Sequence, residues 1–158
     1  MTKELKQEYT LRITQANKTQ LITILYEMTL LYLDEAKDAL IADNKEDFKL
    51  AVRKVQGCVN ELTASLHLEY DVARQLFQLY RYICRELVKA SIHYTQENLD
   101  HVVSVIEKLH EAYKQIEKQD VSGPVMGNTQ SVYAGLTYGR GELNENISAS
   151  EDNRGFCV

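Results

Sequence analysis

The sequence predicts an all-α protein: an antiparallel up-and-down four-helix bundle with a disordered C-terminal tail. Three observations predict this class. Residues 1–120 contain one glycine, Gly57, and no proline, whereas a sheet needs turn residues about every 8–12 positions. Apolar residues recur at helical spacing in four long stretches of this part of the chain. Residues 121–158 hold the other six glycines and Pro124, and their apolar residues show no helical period.

The first predicted helix spans residues 18–42. Asn17 and Gln20 form a capping-box signature at its start, in which each side chain bonds the other residue's backbone N–H. Its apolar stripe consists of Leu21, Leu25, Met28, Tyr32, Ala36 and Leu40. A capped helix with such a stripe is expected to pack the stripe into a core.

The second predicted helix spans residues 45–67. Asp43 and Glu46 repeat the capping-box signature before it. Its apolar stripe consists of Phe48, Val52, Val55, Val59, Leu62 and Leu66. Because the connection to the first helix is short, we expect the two helices to lie antiparallel.

Two further helices are predicted at residues 70–93 and 96–118, the latter with Thr95 as its cap. The stripe of the third helix consists of Val72, Leu76, Tyr80, Ile83, Leu87 and Ile92. That of the fourth consists of Leu99, Val102, Val103, Ile106, Leu109, Tyr113 and Ile116. Short connections again favour antiparallel neighbours, which gives the four-helix bundle.

The chain is thus expected to have three parts. The bundle occupies residues 18–120. It follows an N-terminal segment, residues 1–17, which is mostly polar. Residues 121–158 are rich in Gly, Ser and Asn, a composition that buries too little apolar surface to fold alone, so we expect a flexible tail.

Charge and hydropathy exclude several classes of function. The chain has 18 basic and 23 acidic residues and a net charge of −5, which disfavours a nucleic-acid-binding role. The longest apolar run, from Leu21 to Leu33, is shorter than the about 20 residues that span a bilayer, and no signal-peptide pattern is present. The three cysteines show no CxxC spacing, which favours a reducing compartment. We expect a cytoplasmic protein without nucleic-acid binding or membrane insertion.

Patterns typical of catalysis are scarce. The best metal-binding lead is Glu107-x-x-His110, because Glu-x-x-His motifs of bundle helices build di-iron sites. Such a site needs the motif twice, and the sequence has no second copy. We therefore expect a protein that is not an enzyme and carries no cofactor. A metal-dependent bundle enzyme is an alternative that metal analysis of the purified protein would test.

The most informative feature is surplus apolar surface. Between Leu21 and Leu33, ten of thirteen residues are apolar, whereas a bundle helix buries about three positions in seven. The third predicted helix has apolar residues outside its stripe, namely Phe77, Leu79, Cys84 and Val88. Either the N-terminal segment or a twin subunit covers these faces, or they form a groove for an apolar helix of another protein.

Three groups of residues in these helices carry a family resemblance. They are Leu21 to Glu27 (LITILYE), Asn60-Glu61-Leu62 with Ser65-Leu66 and Glu69, and Leu79-Tyr80-Arg81-Tyr82. In order and helix placement they resemble the motifs of the flagellin-specific export chaperone family, FliS, and the likeness runs from about Tyr9 to Lys118. The sequence departs from the family where Gln15 to Lys18 replace a Thr-Ala-Ser-Pro start, and in lacking a Gly-Gly before the third helix.

The resemblance implies a cytosolic four-helix chaperone. Members of that family bind the disordered C-terminal region of flagellin, which becomes helical along apolar grooves. Binding prevents premature polymerisation, and the chaperone delivers flagellin to the export gate of the flagellar apparatus. An alternative of another class stays open: a helical adaptor or regulator whose apolar faces form a dimer and which has no export role. For the chaperone we expect at most weak self-association, whereas the adaptor would form a stable homodimer.

The resemblance and the surplus apolar residues together predict site residues. We expect the client groove to be lined by Tyr9, Ile13, Ile22, Leu25, Leu33, Phe77 and Val88. Tyr9 and Ile13 belong to the N-terminal segment, which in the family can lie over the groove. Residues that match family motifs and are expected to be structural are Leu21, Tyr26, Leu62, Leu66, Leu79, Tyr80 and Tyr82. We hypothesise that Tyr133 and Tyr138 of the tail dock into the empty groove or the export gate.

Overall fold

The computed structural model describes residues 1–127, which form five α-helices. In chain order these are α1 (Lys3–Gln15), α2 (Lys18–Ile41), α3 (Lys45–Ala64), α4 (Asp71–His93) and α5 (Gln96–Glu117). No strand occurs within residues 1–127. The prediction of an all-α protein is confirmed, and the predicted number of helices is corrected from four to five. The additional helix, α1, lies in the N-terminal segment, where the sequence pattern predicts none.

The helix starts follow local capping chemistry. Both hydrogen bonds of the capping box predicted for α2 are present, because the Asn17 side chain accepts from the Gln20 N–H at 2.8 Å and the Gln20 side chain accepts from the Asn17 N–H at 2.9 Å. At α3 the cap is Asn44 rather than the predicted Asp43, since the Asn44 side chain accepts from the Asp47 N–H at 3.1 Å. Thr95 precedes α5 without capping its backbone.

The main core lies between α2, α3, α4 and α5. Helix α2 packs against α3 and α5, and α4 packs against the same two helices. The largest fully buried side chains include Tyr26, Tyr80, Phe48, Leu33, Leu62, Ile83, Leu87, Leu99 and Ile106. All of these are predicted stripe positions except the two residues from α2, Tyr26 and Leu33. The stripes predicted for the other three helices therefore identify the core-facing sides, except at their ends, where Val72, Ile92 and Ile116 are exposed.

A smaller apolar cluster lies outside this core, between α1 and α2. Its buried members are Tyr9, Ala16 and Ile24. Helix α1 makes its main contact with α2. Its apolar stripe is hard to recognise in the sequence, because the inward-facing apolar residues of α1 are only Leu5, Tyr9 and Ile13.

Residues 121–127, which follow α5, have no helical structure but are tied to the start of α2. The side-chain amide of Asn17 donates to the Ser122 carbonyl at 3.2 Å, and the Val125 N–H donates to the Ala16 carbonyl at 3.0 Å. The remainder of the predicted tail, with Tyr133 and Tyr138, lies outside the described residues. No helix within residues 1–127 is both long enough and apolar enough to cross a membrane.

Candidate helix-binding surfaces

Helix α2 has two apolar faces with different neighbours. On the core face, Tyr26, Leu33 and Ala36 have no exposed surface. On the other face, which we call the α1-covered face, Ile24 is buried and Leu21, Met28 and Leu31 are partly buried beneath α1. These four residues recur at intervals of three or four, so they line one side of the helix. An apolar helix is already seated on them, and α1 is therefore a physical example of what this face can bind.

Polar contacts also hold α1 in place. The guanidinium of Arg12 donates two hydrogen bonds to the Glu27 carboxylate, at 2.6 and 3.1 Å, and lies 5.2 Å from the centre of the Tyr9 ring. Partial burial raises the pKa of Glu27, but the hydrogen bonds and charge of Arg12, together with the nearby His110, outweigh this effect, so the pKa is lowered overall. Glu27 is consequently charged at neutral pH and forms an ion pair with Arg12 of α1.

His110 approaches the same carboxylate from α5. Its Nε2 atom lies 3.6 Å from Glu27 Oε1, which is too long for a hydrogen bond. This nitrogen is buried and has no hydrogen-bond partner within residues 1–127. Glu27 thus faces groups from two helices, Arg12 of α1 and His110 of α5, and the Arg12 contact is the closer.

The predicted groove residues divide between several environments. Tyr9 and Ile13 belong to the cluster between α1 and α2, as does Leu21. Ile22 and Leu25 are partly buried against the main core instead. Leu33 has no exposed surface and packs in that core. Its prediction as a groove residue is therefore wrong, because its side chain is already enclosed by the other helices.

The remaining predicted groove residues lie on α4. Phe77 is partly buried, and Val88 is 49% exposed. Further exposed apolar residues on this helix are Val72, Leu79 and Ile92. Leu79, predicted to be structural, is 38% exposed, so it adds to the apolar surface of α4 rather than to the core. The α4 surface has no cover among the described residues comparable with α1.

The other motif residues lie largely where a structural role places them. Leu62, Tyr26 and Tyr80 are buried, whereas Leu66 and Tyr82 are partly buried. The hydroxyl groups of Tyr26 and Tyr80 form a hydrogen bond of 2.5 Å inside the core, rather than reaching its rim. Burial raises the pKa of Tyr80 to about 12 and raises that of Tyr26 as well, so both hydroxyls stay protonated.

Three residues of the α1-covered face are absent from the predicted groove: Ile24, Met28 and Leu31. The sequence does contain the pattern that could have identified them. They are spaced by four and three residues, so they share a side of α2 with Leu21. A helix that is apolar on nearly every side offers several such stripes. Only the position of α1 distinguishes this one.

The Glu107-x-x-His110 motif is not joined by further metal ligands among the described residues. Within residues 1–127, no group of three or more His, Cys, Asp or Glu side chains could hold a metal ion. Glu107 is exposed, while His110 turns to Glu27 of α2. Cys58 and Cys84 are free thiols, and burial raises the pKa of both.

Comparison with known proteins adds one match. A protein-family model described as "Flagellar protein FliS" matches residues 1–120, which include all five helices. No curated protein matches the chain. The matched range includes both apolar faces of α2 and the apolar surface of α4.

Proposed function

The chain belongs to the FliS family of flagellar chaperones, and we propose that it binds the disordered C-terminal region of flagellin in the cytoplasm. In this role it prevents premature polymerisation and delivers flagellin to the flagellar export gate. The observation that carries the proposal is the α1-covered face. Its four apolar residues are protected from solvent by a single short helix, which another amphipathic helix could replace.

We also propose that α2 to α5 form an antiparallel up-and-down bundle that serves as the rigid base of this surface. Pairs between α2 and α5 support that direction. Near one end Lys37 forms an ion pair with Asp100 at 2.7 Å, and further along Glu27 approaches His110. The partner's number rises as the α2 number falls, as antiparallel helices require.

Client binding would proceed by exchange of helices. A flagellin segment that became helical would displace α1 and pack on Ile24, Met28 and Leu31, while Tyr9 and Ile13 moved away with α1. Each additional fully buried Leu or Ile side chain contributes about 1.5–3 kcal/mol. A client helix with a longer apolar stripe than that of α1 would therefore have an advantage, which compensates for ordering a disordered chain.

The apolar surface of α4 would hold a second part of the client. Phe77, Leu79 and Val88 supply apolar side chains there, and Ile22 and Leu25 contribute at the margins of the core. This exposed surface also suits a second candidate function, a dimeric adaptor in which a twin subunit covers α4. The two functions differ in what α4 contacts, so one pair of variants tests both.

The test is a calorimetric titration with a peptide of the last ~40 residues of a cognate flagellin, followed by circular dichroism. We expect saturable 1:1 binding, a negative heat-capacity change and new helix. The variant L79D/V88D should weaken binding by about tenfold or more, which is about 1.4 kcal/mol. The matched control Q75D/Q78D places the same two negative charges at exposed polar positions of α4 and should bind like the parent protein.

Other results would redirect the assignment. A folded L79D/V88D variant that binds like the parent would remove α4 from the client site. A parent protein that gives no heat with cognate flagellin, yet sediments as a dimer that L79D/V88D dissociates, would favour the adaptor.

A further inference from the structure

An apolar cavity lies at one end of the bundle, next to the apolar surface of α4, with which it shares Val72 and, at its margin, Ile22. It has a volume of about 440 Å³ and lies between the start of α2, the connection from α3 to α4, and the end of α5. Ile22, Leu66, Leu76 and Tyr113 form its apolar wall, and Lys18 and His67 stand at its polar side. Helix α1 does not cover it, since α1 packs on the opposite side of α2, around Ile24.

The chain returns to this cavity after α5. Thr19, which lines the cavity, donates a hydrogen bond of 2.5 Å to the carboxylate of Asp120. The side-chain amide of Asn17 then donates to the carbonyl of Ser122 at 3.2 Å. Hydrogen bonds from Ser122 and Thr19 hold the pKa of Asp120 at about 2, so this anchor is charged at neutral pH. The C-terminal segment therefore starts beside the cavity wall.

The composition of residues 128–158 complements the cavity. They include a short apolar-aromatic stretch with Tyr133, Leu136 and Tyr138. They also contain four acidic residues, Glu142, Glu145, Glu151 and Asp152, against two basic ones, Arg140 and Arg154. The stretch thus offers apolar side chains for the wall, followed by negative charge for Lys18 at its edge.

The length of the connection permits this contact. The Val125 N–H is bonded to the Ala16 carbonyl, three residues before Thr19. The chain from Val125 to Tyr133 spans at most about 26–29 Å when extended, which exceeds the width of a helix. A tether of this length keeps the segment at an effective concentration of about 1 mM near the cavity. Weak intrinsic affinity is therefore enough for substantial occupancy.

We propose that residues 133–138 of the same chain dock in this cavity, with the acidic residues that follow close to Lys18 and His67. The segment is an internal ligand of the bundle. It occupies an apolar site beside the N-terminus of α2 that an external apolar peptide would otherwise find open. The inference does not depend on flagellin, so its outcome is independent of the proposed function.

A tryptophan reporter tests the proposal, because the full chain contains no tryptophan. The variant Y138W places the reporter in the docking stretch, and F156W places it in the same segment beyond that stretch. In the full-length protein we expect the Y138W emission to be blue-shifted and its acrylamide quenching constant to be several-fold lower than that of F156W. Adding V72E, at a cavity residue that is 67% exposed, should remove this protection.

Each alternative result decides against the proposal. If Y138W and F156W are quenched equally, or if V72E leaves the protection intact, the stretch does not dock in the cavity. Protection that increases with protein concentration would mean that the segment docks on a second copy instead. Because V72E could disturb α4, circular dichroism should accompany it, and K18E at the exposed edge provides an independent change that should also raise quenching.

Discussion

The two apolar faces of α2 show how one helix can contribute to a permanent core and to an exchangeable contact. On the core face, Tyr26, Leu33 and Ala36 are enclosed by three other helices and have no exposed surface. On the α1-covered face, Leu21, Met28 and Leu31 remain partly exposed beneath one helix. The difference therefore lies in the number of elements that pack on each face, not in the hydrophobicity of its residues.

The polar contacts of the two faces differ in the same way. In the core, the hydroxyls of Tyr26 and Tyr80 bond to each other, and both side chains are buried. At α1, Arg12 and Glu27 keep 39% and 23% of their side chains exposed, so water can replace their contacts at little cost. Separating the tyrosine hydroxyls requires the buried core to open, whereas lifting α1 breaks a pair that is already in contact with solvent. The comparison predicts that mutations at the core face affect global stability and that mutations at the cover affect local opening.

Leu33 and Leu31 provide the largest expected contrast. Replacing Leu33 with Ala removes a fully buried side chain and leaves a cavity, so we expect L33A to lower the free energy of unfolding by about 2–5 kcal/mol. L31A is the matched control on the same helix and should cost clearly less, because its side chain is partly exposed. Urea denaturation followed by circular dichroism measures both. Equal losses would show that the α1-covered face is as much a part of the core as the other.

The tyrosine pair should show the next largest effect. In Y26F the hydroxyl of Tyr80 loses its only hydrogen-bond partner recorded within residues 1–127, and an unsatisfied buried hydroxyl costs about 1–3 kcal/mol. The double variant Y26F/Y80F removes both hydroxyls and should lose less than the two single variants summed. A double-mutant cycle from urea denaturation gives this coupling. Strict additivity would mean that the hydroxyls act independently.

Glu86 provides a test of the core by pH. This carboxylate of α4 is 3% exposed and accepts from Lys89 at 2.8 Å and from Asn98 at 2.9 Å, with His101 also at 2.9 Å. The bonds from Lys89, His101 and Asn98 lower its pKa from 4.5 to about 2. A lowered pKa in the folded state contributes stability above the unfolded value, and this stability is lost as pH falls through about 2.

E86Q should therefore reduce stability at neutral pH and flatten its decline between about pH 4.5 and 2. Thermal unfolding at several pH values measures both effects. The control D34N removes an exposed carboxylate from α2 and should leave the slope nearly unchanged. An E86Q slope identical to that of the parent would show that Glu86 is not responsible for the acid dependence.

The sequence predicts the helices of the main core well because each property needed is local. Scarce glycine and proline and apolar residues at helical spacing predict α3, α4 and α5, and the capping box predicts the start of α2. Helix α1 escapes prediction, since Leu5, Tyr9 and Ile13 form only a narrow stripe and such a short helix depends on tertiary packing for stability. At α3, both Asp43 and Asn44 are residue types that cap helices. Asn44 is the cap because its backbone is extended, whereas Asp43 has a left-handed φ of 52°.

The site was harder to predict for a physical reason. Composition reveals that α2 has more apolar surface than a bundle needs, but the rotation of the helix determines which residues face outward. That rotation is set by contacts with α3 and α5, which the local pattern of α2 does not specify. As a result Leu33 is in the core, while Ile24, Met28 and Leu31 lie under α1. The prediction that Tyr9 and Ile13 belong beside such a face does not depend on this rotation.

The smallest effect on global stability is expected at Arg12. R12E replaces the two hydrogen bonds to Glu27 by charge repulsion, yet it should change the free energy of unfolding by only about 1 kcal/mol or less because the pair is partly exposed. If this loss of about 1 kcal/mol falls entirely on the docking of α1 against α2, the hydrogen-exchange rate of the α1 amides should rise about fivefold, with no change in α3 to α5. Hydrogen exchange with mass spectrometry measures this difference, and K6E, at an exposed lysine of α1, is the charge-matched control. Uniform acceleration in all helices would contradict a separable cover, whereas acceleration confined to α1 would identify the α1-covered face as the part of α2 that opens first.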